Sequence, residues 1–378
     1  MRIVITSGGT AGHIYPALAV ARELITAGHE VFFAGTTTGQ ETELVKAEAI
    51  SYTAFDAIGF NRSKPSAVPS FLWHTTRATT LAKKWLAGIK PDAVIGFGSY
   101  ASVPVCRAAG QSHIPILIHE QNSTAGWANR LIAQNASGIA LTYEQARAQF
   151  ARARKAIIEV TGNPVRQSLL ELDEPTRRAQ ARQAFRDAYD IPADALVLLV
   201  FGGSQGARSI NDAVIAHAQM ILAEQGVHVV HITGPKQFMV VKAQIVHFLD
   251  TIQAQRWHAI NYCSTMGEAY VACDLVVSRA GASSLAEIAA LGVPALLVPY
   301  PYAADDHQSA NARSLVETGA ARCVSDSELE NPIFIETLLE LLHDRELRES
   351  MATAARAGKA AQATQRVIDL LMRIATKG

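Results

Sequence analysis

The sequence predicts an α/β protein of two similar halves, each a parallel, doubly wound sheet, and three observations predict it. The stretch Val200 to Gly206 (VFGGSQG) follows the apolar run Leu196 to Phe201 and precedes the helical periodicity of Ala207 to Leu222. The same order opens the chain: a strand over Arg2 to Ser7, the turn Gly8-Gly9-Thr10-Ala11-Gly12, and a helix over Ile14 to Ala27. Both turns read G-G-[S/T]-x-G and lie 194 positions apart. Third, short β-rich runs alternate with helical ones along the chain, the pattern of parallel sheets with crossover helices. In such a strand–turn–helix unit, backbone N–H groups converge at a helix N-terminus whose dipole attracts phosphate. Glycine suits the turn because a side chain would block a ligand and because the backbone there often takes φ > 0.

In the first half, further strands are expected near Val31–Ala34, Ser51–Phe55, Ala93–Gly96, Ile116–His119 and Gly138–Leu141. Gly162-Asn163-Pro164 combines two breakers with a residue that forbids helix continuation, which makes it the expected hinge. The domains then run 1–163 and 164–355. Strands of the second half fall near Leu196–Phe201, His228–Thr233, His258–Tyr262, Leu275–Ser278 and Ala295–Val298. Whether the last segment, 356–378 with its helical stretch Gln362 to Ile374, crosses back onto the first domain is left open by the sequence.

A chain of 378 residues has ample length for two cores. With 49% hydrophobic and 18% charged residues it has the balance of a soluble enzyme rather than a disordered tail. No 18-residue apolar run is present, and the N-terminus enters a strand without a basic-then-apolar leader, so a cytosolic location is expected. Cys106, Cys263, Cys273 and Cys323 are scattered and read as reduced core residues, which excludes a structural zinc site. Net charge is zero, but residues 1–163 hold 15 Lys+Arg against 10 Asp+Glu, and the remainder 19 against 24. Nucleic acid would demand a stronger basic face. A different anionic partner is expected for the first half.

Ala57 to Pro91 holds six basic residues and no acidic one. On a helical wheel from Pro69, Leu72, Thr75, Ala82 and Leu86, flanked by Phe71, Ala78 and Trp85, form the buried face. Trp73 then lies opposite, beside Arg77 and Lys84, with Arg62 and Lys64 ahead of the helix. An indole among cations is the pattern of a membrane-surface helix. The structural alternative packs Trp73 under a loop.

The first turn continues into His13, whose place at a helix N-terminus disfavours the imidazolium and leaves a neutral general base. Hydrogen bonding to the loop is the alternative. His119-Glu120-Gln121-Asn122 ends a strand, where open α/β sheets bind ligands; helix capping or a structural role competes. After Ser278 comes Arg279-Ala280-Gly281-Ala282-Ser283-Ser284-Leu285-Ala286-Glu287. Ser284-x-x-Glu287 matches a capping box, yet Glu287 is equally placed to take ribose hydroxyls. Asp305-Asp306-His307-Gln308 follows another strand, with Asn311 opening the next helix, and one acidic pair is weak as a magnesium site. The dinucleotide fingerprint G-x-G-x-x-G and the P-loop G-K-[S/T] are both missing. What remains is a nucleotide-linked donor on one half and a phosphate-bearing acceptor on the other, across a cleft.

Taken together, GGTAGH, GFGSY at Gly96–Tyr100, HEQN at His119–Asn122, GNPVR at Gly162–Arg166, GGSQGA, SRAGASSLAE and DDHQ-x-x-NA resemble, in order and spacing, the MurG family of bacterial glycosyltransferases. The resemblance covers essentially the whole chain. It implies a GT-B fold, UDP-N-acetylglucosamine as donor, an undecaprenyl-pyrophosphoryl-muramoyl-pentapeptide as acceptor, no cofactor, and peripheral attachment to the cytoplasmic face of the inner membrane. It further implies that Ser204 and Gln205 meet the UDP phosphates and that Arg166 lies by the uracil or ribose. Arg279 and the Ala282–Ser284 backbone would flank the nucleotide, Glu287 hold the ribose, Met266 line the uracil pocket, and His307 and Gln308 touch the sugar or diphosphate. Thr10, Ala11, Gly12 and Asn122 would lie near the sugar, His13 act as base with Glu120 as second candidate, and Gly8, Gly9, Gly98, Ser99 and Tyr100 meet the acceptor. Where the family carries a second glycine this chain has Ser99, which is expected to resist φ > 0. The runner-up is a UDP-sugar epimerase of similar build. A non-catalytic sugar-nucleotide sensor would need neither His13 nor an acceptor loop.

Overall fold

The computed structural model describes residues 1–39, 41–59, 68–203, 205–358 and 360–376. It divides into two compact units, Met1–Arg166 with Ala361–Gly378, and Gln167–Ala360.

The first unit is a seven-stranded parallel sheet in the order β3-β2-β1-β4-β5-β6-β7. Its strands are β1 (Arg2–Thr6), β2 (Glu30–Thr36), β3 (Ser51–Phe55), β4 (Ala93–Gly96), β5 (Ile116–Glu120), β6 (Gly138–Leu141) and β7 (Ile157–Val160). The helices that position its loops are α1 (Ala11–Thr26), α2 (Glu41–Ala47), α3 (Val68–Ile89), α4 (Ser99–Gln111) and α5 (Trp127–Ile132). Central strands β1, β4 and β5 are buried almost throughout, as parallel strands covered on both faces must be. Two buried clusters sandwich the sheet, one around Phe33, Ile95 and Leu117, the other around Val94, Ile118 and Phe150. The C-terminal helix Ala363–Ala375 seats Leu370, Leu371 and Ile374 in the first of them. A Cβ on Gly162 would stand 3.0 Å from Ala363 Cβ, so a glycine there lets this helix close on the chain it left.

The second unit repeats the plan with six parallel strands in the order β10-β9-β8-β11-β12-β13. They are β8 (Leu196–Phe201), β9 (Val227–Ile232), β10 (Trp257–Ile260), β11 (Leu275–Ser278), β12 (Ala295–Leu297) and β13 (Ala321–Cys323). In each sheet the winding direction reverses once, between β1 and β4 and between β8 and β11. Both glycine turns leave the strands at these reversals, where neighbouring connections part and open a crevice.

Several expectations change. Edge strands β7 and β13 were not anticipated: both are short and only partly buried, so they lack the apolar run that marks a central strand. The helix expected over Ala207–Leu222 breaks at His217 into Arg208–Ala216 and Ala218–Ala223. On α3 the residues Phe71, Thr75, Ala78, Ala82 and Leu86 are buried as the wheel requires, but Leu72 points out and is 53% exposed. Cys106, Cys263 and Cys273 are buried, whereas Cys323 is exposed on an edge strand. Arg166 falls with the first unit, its guanidinium 4.8 Å from the Tyr15 ring centre on α1.

Candidate functional site

In the second unit, the loops after β8, β11, β12 and β13 enclose a cavity of about 1170 Å³. Gly202, Gly203, Gln205 and Gly206 form one wall, Arg279, Gly281 and Ser284 another, and Tyr300, Gln308 and Asp326 complete it. The turn is shaped by contact. A Cβ on Gly202 would strike Ala207, and one on Gly206 would strike the Thr233 carbonyl, while Gly203 has open space at its Cβ position. Gly203 and Gly206 both carry positive φ, 95° and 76°. Behind the turn, Asn211 Nδ2 donates to Thr233 O (2.9 Å), and His231 Nε2 lies 3.0 Å from Asn211 Oδ1.

Arg279 is 8% exposed and braces the cavity rather than reaching freely into it. Its guanidinium donates to the carbonyls of Val298 and Pro299, to Ser209 Oγ (2.7 Å) and to Asp326 Oδ1 (2.5 Å), and lies over the Tyr300 ring at 5.4 Å. Ser209 Oγ in turn donates to Asp326 Oδ1 (2.7 Å). Tyr300 N–H donates to Gln308 Oε1 (2.9 Å), which fixes that amide at the rim. The helix Ala282–Leu291 starts from Gly281 at the cavity wall, so its positive end faces the space that the glycine turn encloses. Ser284 is the third residue of this helix and Glu287 the sixth, so they do not form the expected capping box. Asn311 likewise sits inside its helix, which begins at His307. Asp305 and Asp306 take positive φ in the turn before the helix, and Asp306 Oδ1 accepts from Ser309 Oγ (2.7 Å). Among the described residues no group of three or more His, Cys, Asp or Glu is arranged to hold a metal.

Gln205, Arg279, Ser284 and Gln308 therefore meet at one cavity. Met266, Ala282, Ser283, Glu287 and His307 do not line it, and Ser204 lies outside the described residues. Ser209, Tyr300 and Asp326 were missed; no short motif marks them, because their contacts join distant loops.

In the first unit, three loops converge after β1, β4 and β5. His13 is the third residue of α1, with Nδ1 2.9 Å from Thr10 Oγ1. A Cβ on Gly98 would touch His13 Cδ2 at 3.4 Å and Asn129 Nδ2 at 3.3 Å, and one on Gly9 would touch Tyr100 and Ser99 at 3.6 and 3.7 Å. Thus Gly9 stands beside Ser99 and Tyr100, and His13 beside Gly98, which brings the first glycine turn and the loop after β4 together. Ser99 does adopt positive φ, 63°, against expectation. Its hydroxyl accepts from Ala101 N–H (3.2 Å) and its carbonyl from Ser102 Oγ (2.9 Å), which offsets the roughly 1–2 kcal/mol cost of the left-handed conformation.

Glu120 is 1% exposed, and both its oxygens are engaged: Oε1 by Asn122 N and Nδ2 (3.0 and 3.3 Å), Oε2 by Gly126 N and Asn129 Nδ2 (2.9 and 2.8 Å). Burial pushes its carboxyl above the usual range, and these donors pull the other way. It organises the 121–129 loop and is poorly disposed to exchange protons with a ligand. His119, fully buried, puts Nε2 3.0 Å from Gly162 O and is pulled down to about 4 by burial, so it is a neutral strut. Gln121 Nε2 donates to Phe97 O (2.9 Å) and ties this loop to the one after β4.

The chain matches the glycosyltransferase family 28 N-terminal domain over residues 3–141 and the family 28 C-terminal domain over residues 197–367. A UDP-N-acetylglucosamine–N-acetylmuramyl-(pentapeptide) pyrophosphoryl-undecaprenol N-acetylglucosamine transferase of Halothermothrix orenii is 38% identical over 363 residues, 95% of each chain. A transferase of the same name from Lactiplantibacillus plantarum is 36% identical over 94% of each. The crystal structure of Acinetobacter baumannii MurG superposes with a TM-score of 0.76 at 30% identity, covering 98% of this chain and 99% of that one. A UDP-GlcNAc 2-epimerase from Neisseria meningitidis has a TM-score of 0.68 at 17% identity over 99% and 100% of the two chains, a likeness of fold alone. With two parallel doubly wound units, paired glycine turns and relatives of this closeness, the chain has the GT-B fold and belongs to the MurG family of glycosyltransferases.

Proposed function

We propose that the protein transfers N-acetylglucosamine from UDP-N-acetylglucosamine to an undecaprenyl-pyrophosphoryl-N-acetylmuramoyl-pentapeptide, with inversion at the anomeric carbon. The observation that carries the reading is the convergence of Gln205, Arg279, Ser284 and Gln308 on one cavity at the β8/β11 reversal, in a chain of this family. There the glycine turn and the N-terminal end of the helix Ala282–Leu291 would bind the diphosphate and stabilise UDP as it departs. Glu287 on that helix would take the ribose, and Met266 of the same unit the uracil.

The acceptor belongs to the first unit, against Gly8, Gly9, Gly98, Ser99 and Tyr100. Its hydroxyl oxygen attacks the anomeric carbon from the face opposite UDP; the C–O bond to the β-phosphate breaks as the new glycosidic bond forms. The hydroxyl proton passes to His13 Nε2, since Glu120 is already committed to four donors. No step needs a covalent sugar–enzyme intermediate.

Attachment to the inner membrane would use α3. Trp73 is 56% exposed with Arg77 Cζ 5.3 Å from its ring centre, and Leu72, Leu81 and Lys84 are exposed nearby. Arg62 and Lys64 lie outside the described residues. Among the described residues no helix is long and apolar enough to cross a membrane; an exposed indole among cations is the feature of α3 that would suit a lipid surface.

The test supplies UDP-N-acetylglucosamine with and without the lipid-linked acceptor. Transfer only in its presence, with the linkage inverted, is expected. Conversion of the sugar nucleotide without acceptor would favour the epimerase reading, and trapping a glycosyl-enzyme would exclude direct displacement.

A further inference from the structure

Glu41, the first residue of α2, is a second buried carboxylate of the first unit, and the transfer chemistry does not use it. It is 0% exposed, and among the described residues it forms no ion pair. Its Oε1 accepts from Thr36 N (2.8 Å) and Thr36 Oγ1 (2.6 Å) at the end of β2, and its Oε2 from Gly9 N (3.4 Å) in the first glycine turn. Three glycines, Gly8, Gly35 and Gly39, are hollowed around it, and a Cβ on Gly39 would overlap the carboxylate itself. A Cβ on Gly8 would stand 2.6 Å from Glu41 Oε1, and one on Gly35 would stand 2.7 Å from Glu41 Cγ. Gly8 is thus glycine to admit this carboxylate from within the protein, rather than to admit a ligand from outside.

A buried carboxylate without a cation is costly, and a seven-residue helix gains its acidic first turn as well from Glu43, which is exposed. The contacts it makes define a different role. Glu41 presses on Gly8 and Gly9, and the Gly9 α-carbon in turn faces the Ser99 and Tyr100 side chains. Occupied by the carboxylate, the Gly9 N–H is turned inward and is not the donor that meets an outside anion. We propose that Glu41 is a positioning residue for acceptor binding, a strut that sets the Gly8-Gly9 turn against Ser99 and Tyr100 so that the two loops present one surface. The proposal rests on the reading that these loops meet the acceptor.

The test uses the full chain with UDP-N-acetylglucosamine and the lipid-linked acceptor, measuring both KM values, kcat and the melting temperature. Glu41→Gln keeps size but offers one accepting oxygen, so either the Thr36 or the Gly9 contact is lost. The expected result is a rise of about tenfold in acceptor KM, with donor KM within about twofold. Thr36→Val, which removes only the hydroxyl donor, should move acceptor KM the same way by less, and it decides the matter if Glu41→Gln does not fold. An unchanged acceptor KM in a folded variant, or an equal rise of both KM values, overturns the proposal. Tyr100→Ala separates the two levels. If it raises acceptor KM while Glu41→Gln does not, only the strut fails; if neither does, the acceptor reading of these loops fails with it.

Discussion

Thr10 Oγ1 lies 2.9 Å from His13 Nδ1 within the first turn of α1. For Nε2 to accept a proton, Nδ1 must carry the hydrogen, and the Thr10 hydroxyl is placed to accept it there and hold the ring. His13→Ala should lower kcat by about 10² or more with donor affinity largely kept. Thr10→Val should lower kcat by a smaller factor and Thr10→Ser should restore it. If His13→Ala turns over normally while Glu120→Ala is inactive yet folded, the base is Glu120.

Removing the partner of Arg279 should loosen the donor cavity. Asp326→Asn leaves a guanidinium that is 10% exposed without its counter-charge. A loss of about 2–3 kcal/mol in chemical denaturation is expected, at or just under the usual cost of breaking a buried pair because Asp326 keeps 21% of its side-chain surface. Calorimetry with UDP should show weaker binding; unaltered affinity would mean that the brace serves stability alone.

Glu287 is the sixth residue of its helix, clear of the N-cap at Gly281, so the loss of a helix cap does not enter the comparison between Glu287→Ala and the parent protein, whose stabilities are measured alongside. UDP affinity should drop by about tenfold. Equal affinity in both proteins would remove Glu287 from the ribose.

Acid should destabilise the fold well before its carboxylates titrate. Burial pulls His119 and His258 down to about 4 and His231 to about 3. The unfolded chain, with histidines near 6.5, therefore binds more protons at mildly acid pH. Stability is full above about pH 6.5 and is lost as pH falls from there toward 4. The thermal midpoint should be flat from pH 7 to 8 and fall between roughly pH 6.5 and 5, and His119→Gln should make that fall shallower.

Vesicles containing anionic lipid should sediment the protein at low salt and release it at high salt, each cation on α3 contributing about 1 kcal/mol. The triple variant Trp73→Ala, Arg77→Ala, Lys84→Ala should stay in solution. Should it pellet like the parent protein, the membrane face lies elsewhere.

The sequence by itself determined the repeated strand–turn–helix plan, the central strands and the turns that open the ligand loops. These rest on local causes: apolar runs make buried parallel strands, and glycines permit the positive φ found at Gly9, Gly98, Gly203 and Gly206. It also marked Gln205, Arg279, Ser284 and Gln308, since each lies in or beside such a turn. Tertiary structure decided what those residues do. Arg279 reads as a ligand contact in sequence and is a brace in the fold, because its acidic partner comes from a loop 47 positions away. Glu120 is motif-borne and reads as a possible base, yet donors from the next nine residues fold over it. Glu41 was invisible: its link to Gly9 spans 32 positions and exists only once β2 has paired with β1. The edge strands β7 and β13 escaped for the same reason, being held by a neighbour's ladder rather than by an apolar pattern of their own. Local sequence sets which backbone shapes are cheap; which polar group is left to meet a ligand depends on partners that only packing supplies.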